Sequence, residues 1–165
     1  TGVRIGVAAA KGLAWGGEKP CYGVSTLESM AISLGAWQGY ICPCMDARRS
    51  QVYNALFYVN HGKIKRVSED RAIALADLGE ELKMLKEPIF LVGDGSNLCY
   101  NTLKEAVPGL ILPPEHRMHQ RAVGVALAAE QKAAAGDPGD ANAMTPNYLR
   151  LSQAERERAE RMRNS

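Results

Sequence analysis

Residues 40–59 read YICPCMDARRSQVYNALFYV, and residues 60–67 continue as NHGKIKRV. Tyr40–Met45 is a strand by composition, with Pro43 inside it. Proline cannot donate to a ladder, so this strand is expected at an edge or at a bulge. Asp46-Ala47-Arg48-Arg49-Ser50 turns the chain into Gln51–Val59, a long β-rich run. Its alternating sets, Val52/Leu56/Tyr58 and Tyr53/Ala55/Phe57/Val59, are both mostly apolar, which predicts a strand covered on both faces. Asn60-His61-Gly62 is a turn signal into a third strand, Lys63–Val67.

Downstream the pattern changes. Ala76–Lys86 reads as a helix, and Ile89–Val92 as a short buried strand ending in Gly93-Asp94-Gly95-Ser96. A short helix about Asn101–Val107 follows, then strand-like Leu110–Leu112 and a stop at Pro113-Pro114. Met118–Ala135 is a helix with apolar positions 118, 122, 125, 126, 129 and 133, closed by Gly136. Asp137–Ala143 is a link, Pro146–Leu151 is extended, and Ser152-Gln153-Ala154-Glu155 is a capping box opening a highly charged last helix. Upstream, Cys21–Ser25 reads as a short strand. Ser25 or Thr26 caps a helix that runs through Met30, Ile32 and Leu34 to Gly35. Three meandering strands followed by α-β-α is the layout of one ribonuclease-H-like lobe, and what precedes them looks like the tail end of another.

The first helix is unusual. Residues 2–14 read GVRIGVAAAKGLA, and residues four apart lie one above the other on a helix. Gly2, Gly6, Ala10 and Ala14 therefore form a stripe without bulk, suited to close approach of another backbone. Ile5, Ala9 and Leu13 form a second apolar stripe, the expected core-facing side. Only Arg4 and Lys11 interrupt the apolar surface. A helix apolar on two sides is expected to be buried on two sides. It also opens the chain with no preceding cap or strand, which predicts further sequence before residue 1.

At 165 residues, 46% hydrophobic and 23% charged, the chain has the composition of a soluble domain with a sizeable core. A net charge of +2 argues for neither nucleic acid nor membrane. No apolar run is long enough to span a bilayer, and residues 1–15 lack a signal peptide's order. Cys21, Cys42, Cys44 and Cys99 lack the spacing of zinc or redox pairs, and read as inert buried thiols in a reducing cytosol.

Candidate chemistry is sparse. His116 and His119 are spaced i, i+3 and would share a helix face, but a metal needs a third ligand, and Pro113-Pro114 argues for a loop there. Gly93-Asp94-Gly95-Ser96 sits where backbone amides can cradle phosphate, yet lacks a P-loop's lysine and spacing; a turn needing glycine explains it as well. Asp46, Arg48 and Arg49 place charge on one hairpin that suits phosphate, a carboxylate or a partner, although a solvated hairpin accounts for them more simply. No nucleophile sits beside an evident base. The last helix alternates Arg156, Arg158, Arg161 and Arg163 with Glu155, Glu157 and Glu160, as solvated helices do.

Several segments together resemble one family, the bacterial tRNA threonylcarbamoyladenosine biosynthesis protein TsaB, also called YeaZ. They are Thr1-Gly2-Val3-Arg4-Ile5-Gly6-Val7 with Lys11-Gly12-Leu13-Ala14, Gly23–Glu28, Asp46–Arg49 with Val52-Tyr53, and Pro146-Asn147-Tyr148-Leu149-Arg150. They stand in family order. The resemblance implies an α/β actin-like/Hsp70-like duplicated ribonuclease-H fold, here the end of the first lobe plus the complete second. Residues 1–39 would be the remnant of the N-terminal lobe, 40–136 the second lobe, and 137–165 the linker, extended segment and charged helix.

The resemblance further implies a cytoplasmic, non-catalytic protein without cofactor or metal of its own. It would support a TsaD-like paralogue that transfers threonylcarbamoyl to tRNA beside the anticodon. A TsaE-like ATPase would complete the complex, and tRNA would be met only indirectly. The signature helix would supply the pairing surface, toward TsaD or a second copy, through Gly2, Val3, Gly6, Val7, Ala10, Lys11 and Ala14. Two alternatives are a metalloprotease of the glycoprotease type, whose ligands would have to be His116 and His119, and an actin-like small-molecule kinase, which would need a phosphate-gripping first lobe.

Overall fold

In the computed structural model, which describes residues 2–35, 37–150 and Met162, Pro43 lies in the middle of the sheet rather than at its edge. Strand β1 (Gly39–Asp46) pairs on one side with β6 (Ile89–Val92), in parallel. On its other side it is antiparallel to β3 (Phe57–Asn60) over its first half and to β2 (Gln51–Asn54) over its second. Ile41↔Phe57 and Cys44↔Asn54 keep one register, so no residue is inserted. The expected strand 51–59 is thus one line of chain whose ladder lapses at Ala55-Leu56, opposite Pro43. Asn54, fully buried, fills the gap: its side-chain amide donates to the Pro43 carbonyl at 3.0 Å and the Ala55 carbonyl at 3.0 Å. Leu56 turns away, its carbonyl accepting from Val67 and its N–H donating to the Ser68 hydroxyl.

The third strand is likewise in two parts. β4 (Lys63–Arg66) pairs with β3, and β5 (Arg71–Ala74), unforeseen in the sequence, pairs with β2. With the short β7 (Leu110–Ile111) parallel to β6, the meander and the two parallel strands make one seven-stranded sheet.

Both faces are covered, as the apolar alternation requires. Cys42, Cys44, Val52, Ile89 and Leu91 pack on one side with α3 (Leu75–Lys83) and α4 (Ser96–Leu103). Ile41, Phe57, Val59, Phe90 and Val92 pack on the other with Leu27, Met30, Ala31 and Leu34 of α2 (Thr26–Leu34). Ser25 caps α2 by accepting the Glu28 N–H, and Cys21–Ser25 before it is irregular, not a strand. The long C-terminal helix begins later than expected. A single turn, α5 (Glu115–Met118), is followed by extended backbone and then α6 (Ala122–Ala134), which packs on α2. There Gly124 lies so close to the Ser29 carbonyl and the Ser33 hydroxyl that a Cβ would collide with both. The capping box at 152–155 and the charged helix after it fall outside the described residues.

The sheet core also gathers three thiols. The Cys42 and Cys44 sulfurs are 3.7 Å apart, and the two neighbours of Cys44, Cys42 and Cys99, with burial behind them, hold its thiol well above the usual pKa. A thiol so held stays protonated and unreactive. Cys21 departs from the expected set, being only half-buried beside Met144.

Candidate partner-docking surface

The first helix, α1 (Gly2–Gly16), forms where expected, favoured by its alanine and long-chain residues and free of proline. Its expected burial does not hold. No residue of α1 is buried, and among the described residues no strand or helix packs extensively on it. Val7, Lys11 and Ala14 are half-covered; the remaining residues are exposed. Ile5, Ala9 and Leu13, expected to face the core, lie with Gly2 and Gly6 on the side turned away from that covered line, by the 100° step of a helix. Leu13 is 79% exposed and Trp15 85%. Nor, among the described residues, does any other backbone sit against the two glycines of the small stripe, since a Cβ at Gly2 or Gly6 would meet nothing within 4 Å.

The seven residues expected at a partner interface therefore divide. Gly2, Val3, Gly6 and Ala10 are open, while Val7, Lys11 and Ala14 lean on the molecule itself. Sequence reasoning missed Ile5, Ala9, Leu13 and Trp15 as surface, because a helix apolar all round carries no signal for which side is inside. Two side chains tie α1 down. Arg4 Nε donates to the Tyr148 hydroxyl at 3.2 Å, with its guanidinium 5.5 Å from the ring centre, and Lys11 Nζ donates to the Asn142 carbonyl at 3.5 Å.

The hairpin between β1 and β2 holds the second predicted set. Asp46, Arg48 and Arg49 are exposed, and the Arg48 N–H donates to the Asp46 carboxylate at 2.6 Å. Arg48, Arg49 and Ser50 are all left-handed, with φ of 61°, 56° and 55°. Three such residues in a row without glycine are strained, and are held by the Ala47–Gln51 bond below and the Leu75 N–H to Ser50 carbonyl bond beside. Arg150 reaches in from far along the chain, donating to the Ala47 carbonyl at 2.6 Å.

Beside this hairpin runs the glycine-rich turn after β6. The Gly95 N–H donates to the Cys44 carbonyl at 3.0 Å, and a Cβ on Gly93 (φ +100°) would run into that same carbonyl. Close approach of two strand ends thus explains both glycines without a phosphate. The histidines do not come together as a site. His116 is in the single turn of α5, whereas His119 follows it in extended backbone (φ −97°, ψ 157°), so they share no helix face. His61 is exposed in its turn, and among the described residues no three His, Cys, Asp or Glu side chains form a metal-ligand group. Ser25, the helix cap, donates to Asp70 at 2.5 Å while Arg66 holds the same carboxylate at 2.7 Å, which fastens α2 to the loop before β5.

Residues 1–158 match the family described as "TsaD: tRNA N6-adenosine threonylcarbamoyltransferase". A "tRNA threonylcarbamoyladenosine biosynthesis protein TsaB" of Bacillus subtilis (strain 168) is 36% identical over 158 residues, 94% of this chain and 66% of the relative. The protein of the same name from Escherichia coli (strain K12) is 36% identical over 117 residues, 68% of this chain and 49% of the relative. The chain thus spans about two thirds of one relative and half of the other. Among solved structures, YeaZ from Pseudomonas aeruginosa superposes with a TM-score of 0.66 at 20% identity, over 89% of this chain and 68% of that one. A P. aeruginosa protein described as similar to peptidase YEAZ gives 0.65 at 20% identity, over 90% and 68%. At that identity the likeness is one of fold.

Proposed function

We propose, from the premise that this chain belongs to the TsaD family and has TsaB proteins as relatives, that it serves tRNA threonylcarbamoyladenosine biosynthesis as a non-catalytic docking partner. One observation carries the reading: α1 turns an apolar face of Ile5, Ala9 and Leu13, flanked by glycine and alanine, away from the other described residues. Apolar surface left open along a whole helix marks an interaction site, and the small stripe beside it admits a second helix at short range. The occupant we assign is a TsaD-like catalytic subunit, with a second copy of this chain as the competing occupant. A TsaE-like ATPase and tRNA enter through that subunit, in the cytoplasm. Asp46, Arg48 and Arg49 form a polar rim that a partner's charges can meet. Residues 40–136 act as the ribonuclease-H-like platform that presents the helix-bearing segment 1–39.

The reading is tested by co-purifying the protein with its candidate TsaD partner and measuring mass by size-exclusion chromatography with light scattering. A one-to-one complex is expected, abolished by Gly6→Arg or Ala10→Glu while the sheet domain keeps its far-ultraviolet spectrum. Survival of the complex in both variants removes α1 from the interface.

A further inference from the structure

α1 and the β1–β2 hairpin are far apart in sequence, and one irregular segment touches both. We propose that residues 139–150 are a strap that sets the direction of α1 relative to the hairpin, with Tyr148 and Arg150 as its positioning residues. At its start the Gly139 carbonyl accepts the Cys21 N–H at 2.7 Å, and Gly139 (φ +68°) presses so closely on Pro20 and Tyr22 that no side chain fits there. Met144 follows, its sulfur 3.7 Å from Cys21 Sγ and its stem against Gly23. The segment is therefore fixed to the linker that leaves α1. Farther on it meets the helix itself, through the Asn142 carbonyl and the Tyr148 ring and hydroxyl. Two residues later Arg150 fixes it to Ala47, whose side chain is buried at the base of the hairpin.

Among the described residues these are the side-chain hydrogen bonds α1 makes beyond itself. A 15-residue helix standing alone in water is marginal, so its persistence and its direction depend on what holds it. The strap meets Arg4 and Lys11, on the side of α1 where Val7 and Ala14 are also half-covered, and makes no hydrogen bond to the opposite face. Its use for docking rests on the reading of α1 as an interface, but the strap itself does not.

Hydrogen exchange of the full-length protein, without any partner, tests it. Arg150 does not touch α1, yet Arg150→Ala is expected to speed exchange of the α1 amides about three- to fivefold, the scale of one lost exposed cation–π or charged contact. Tyr148→Ala is expected to do the same. Tyr148→Phe keeps a ring beneath Arg4 and is expected to stay within about twofold of the parent. In each case the amides of β1 and β6 are expected to remain at their parent rates. Unchanged α1 exchange in both alanine variants overturns the strap, and so does an equal rise in α1 and β1, which makes the residues mere contributors to global stability. Should either alanine variant fail to fold, Arg4→Ala, on an exposed position, removes the same contact from the helix side. Loss of pairing in Ala10→Glu together with unmoved exchange in both Arg150→Ala and Tyr148→Ala would keep the docking reading and remove the strap; the reverse results would do the opposite.

Discussion

Tyr58 shows how much of a residue's chemistry comes from a partner that is distant in sequence. Its hydroxyl donates to both oxygens of Glu87, at 2.9 and 3.1 Å, and this bond, with some burial and the nearby carboxylate charge, raises its pKa above the ordinary tyrosine value. The folded protein thus holds the phenol proton more firmly than the unfolded chain does. The resulting stabilisation is fully present below the unfolded-state pKa of about 10 and is lost as pH rises through the folded-state value. Glu87→Gln is expected to bring the Tyr58 ionisation, followed by tyrosinate absorbance, back toward that of a free tyrosine; an unmoved titration would break the assignment. The β-pattern places Tyr58 on a strand. Nothing in the pattern pairs it with Glu87, which stands just before β6 and comes alongside only because β3 and β6 flank the same strand.

At the scale of elements, Pro43 is the clearest case. Its missing N–H is legible in the sequence, and edge or bulge is the inference that absence licenses. The protein adopts neither: it lets the antiparallel ladder lapse for two residues and spends a buried asparagine on the gap. Asn54→Leu would leave the Pro43 and Ala55 carbonyls without that donor inside the sheet. It is expected to cost about 1–3 kcal/mol, read as a lower urea midpoint with unchanged slope. A cost under about 0.5 kcal/mol would mean the backbone closes the gap by itself. The hairpin of Arg48, Arg49 and Ser50 makes a related point. Its residues carry no glycine signal, yet all three are left-handed, because a fixed register above and the Ser50–Leu75 bond beside it dictate the path.

At the scale of the molecule, the layers are joined where side chains are absent. α6 rests on α2 through Gly124, and α2 rests on the sheet. Gly124→Ala gains helix propensity worth about 1 kcal/mol, and yet it is expected to lower stability by about 1–3 kcal/mol. The reason is that the new methyl must push apart two helices at a backbone carbonyl. Chemical denaturation gives the sign directly, and a stabilised variant would show that α6 is free to shift on α2.

Alternation, turn residues and caps acted over a few positions, so the sequence by itself determined the meander, the buried β6, the cap at Ser25 and the existence of α1. It also carried the family resemblance, since the motifs are local strings. Which way α1 faces was decided only by tertiary structure. Its apolar residues ring the axis, so periodicity supplies no preferred inside, and the side-chain bonds described from α1, from Arg4 and Lys11, go to Tyr148 and Asn142, more than a hundred residues away. The same holds for the lapse at Pro43, the second half of the third strand and the break before α6. Each is set by a neighbour brought close by the fold, and no local pattern records such a neighbour.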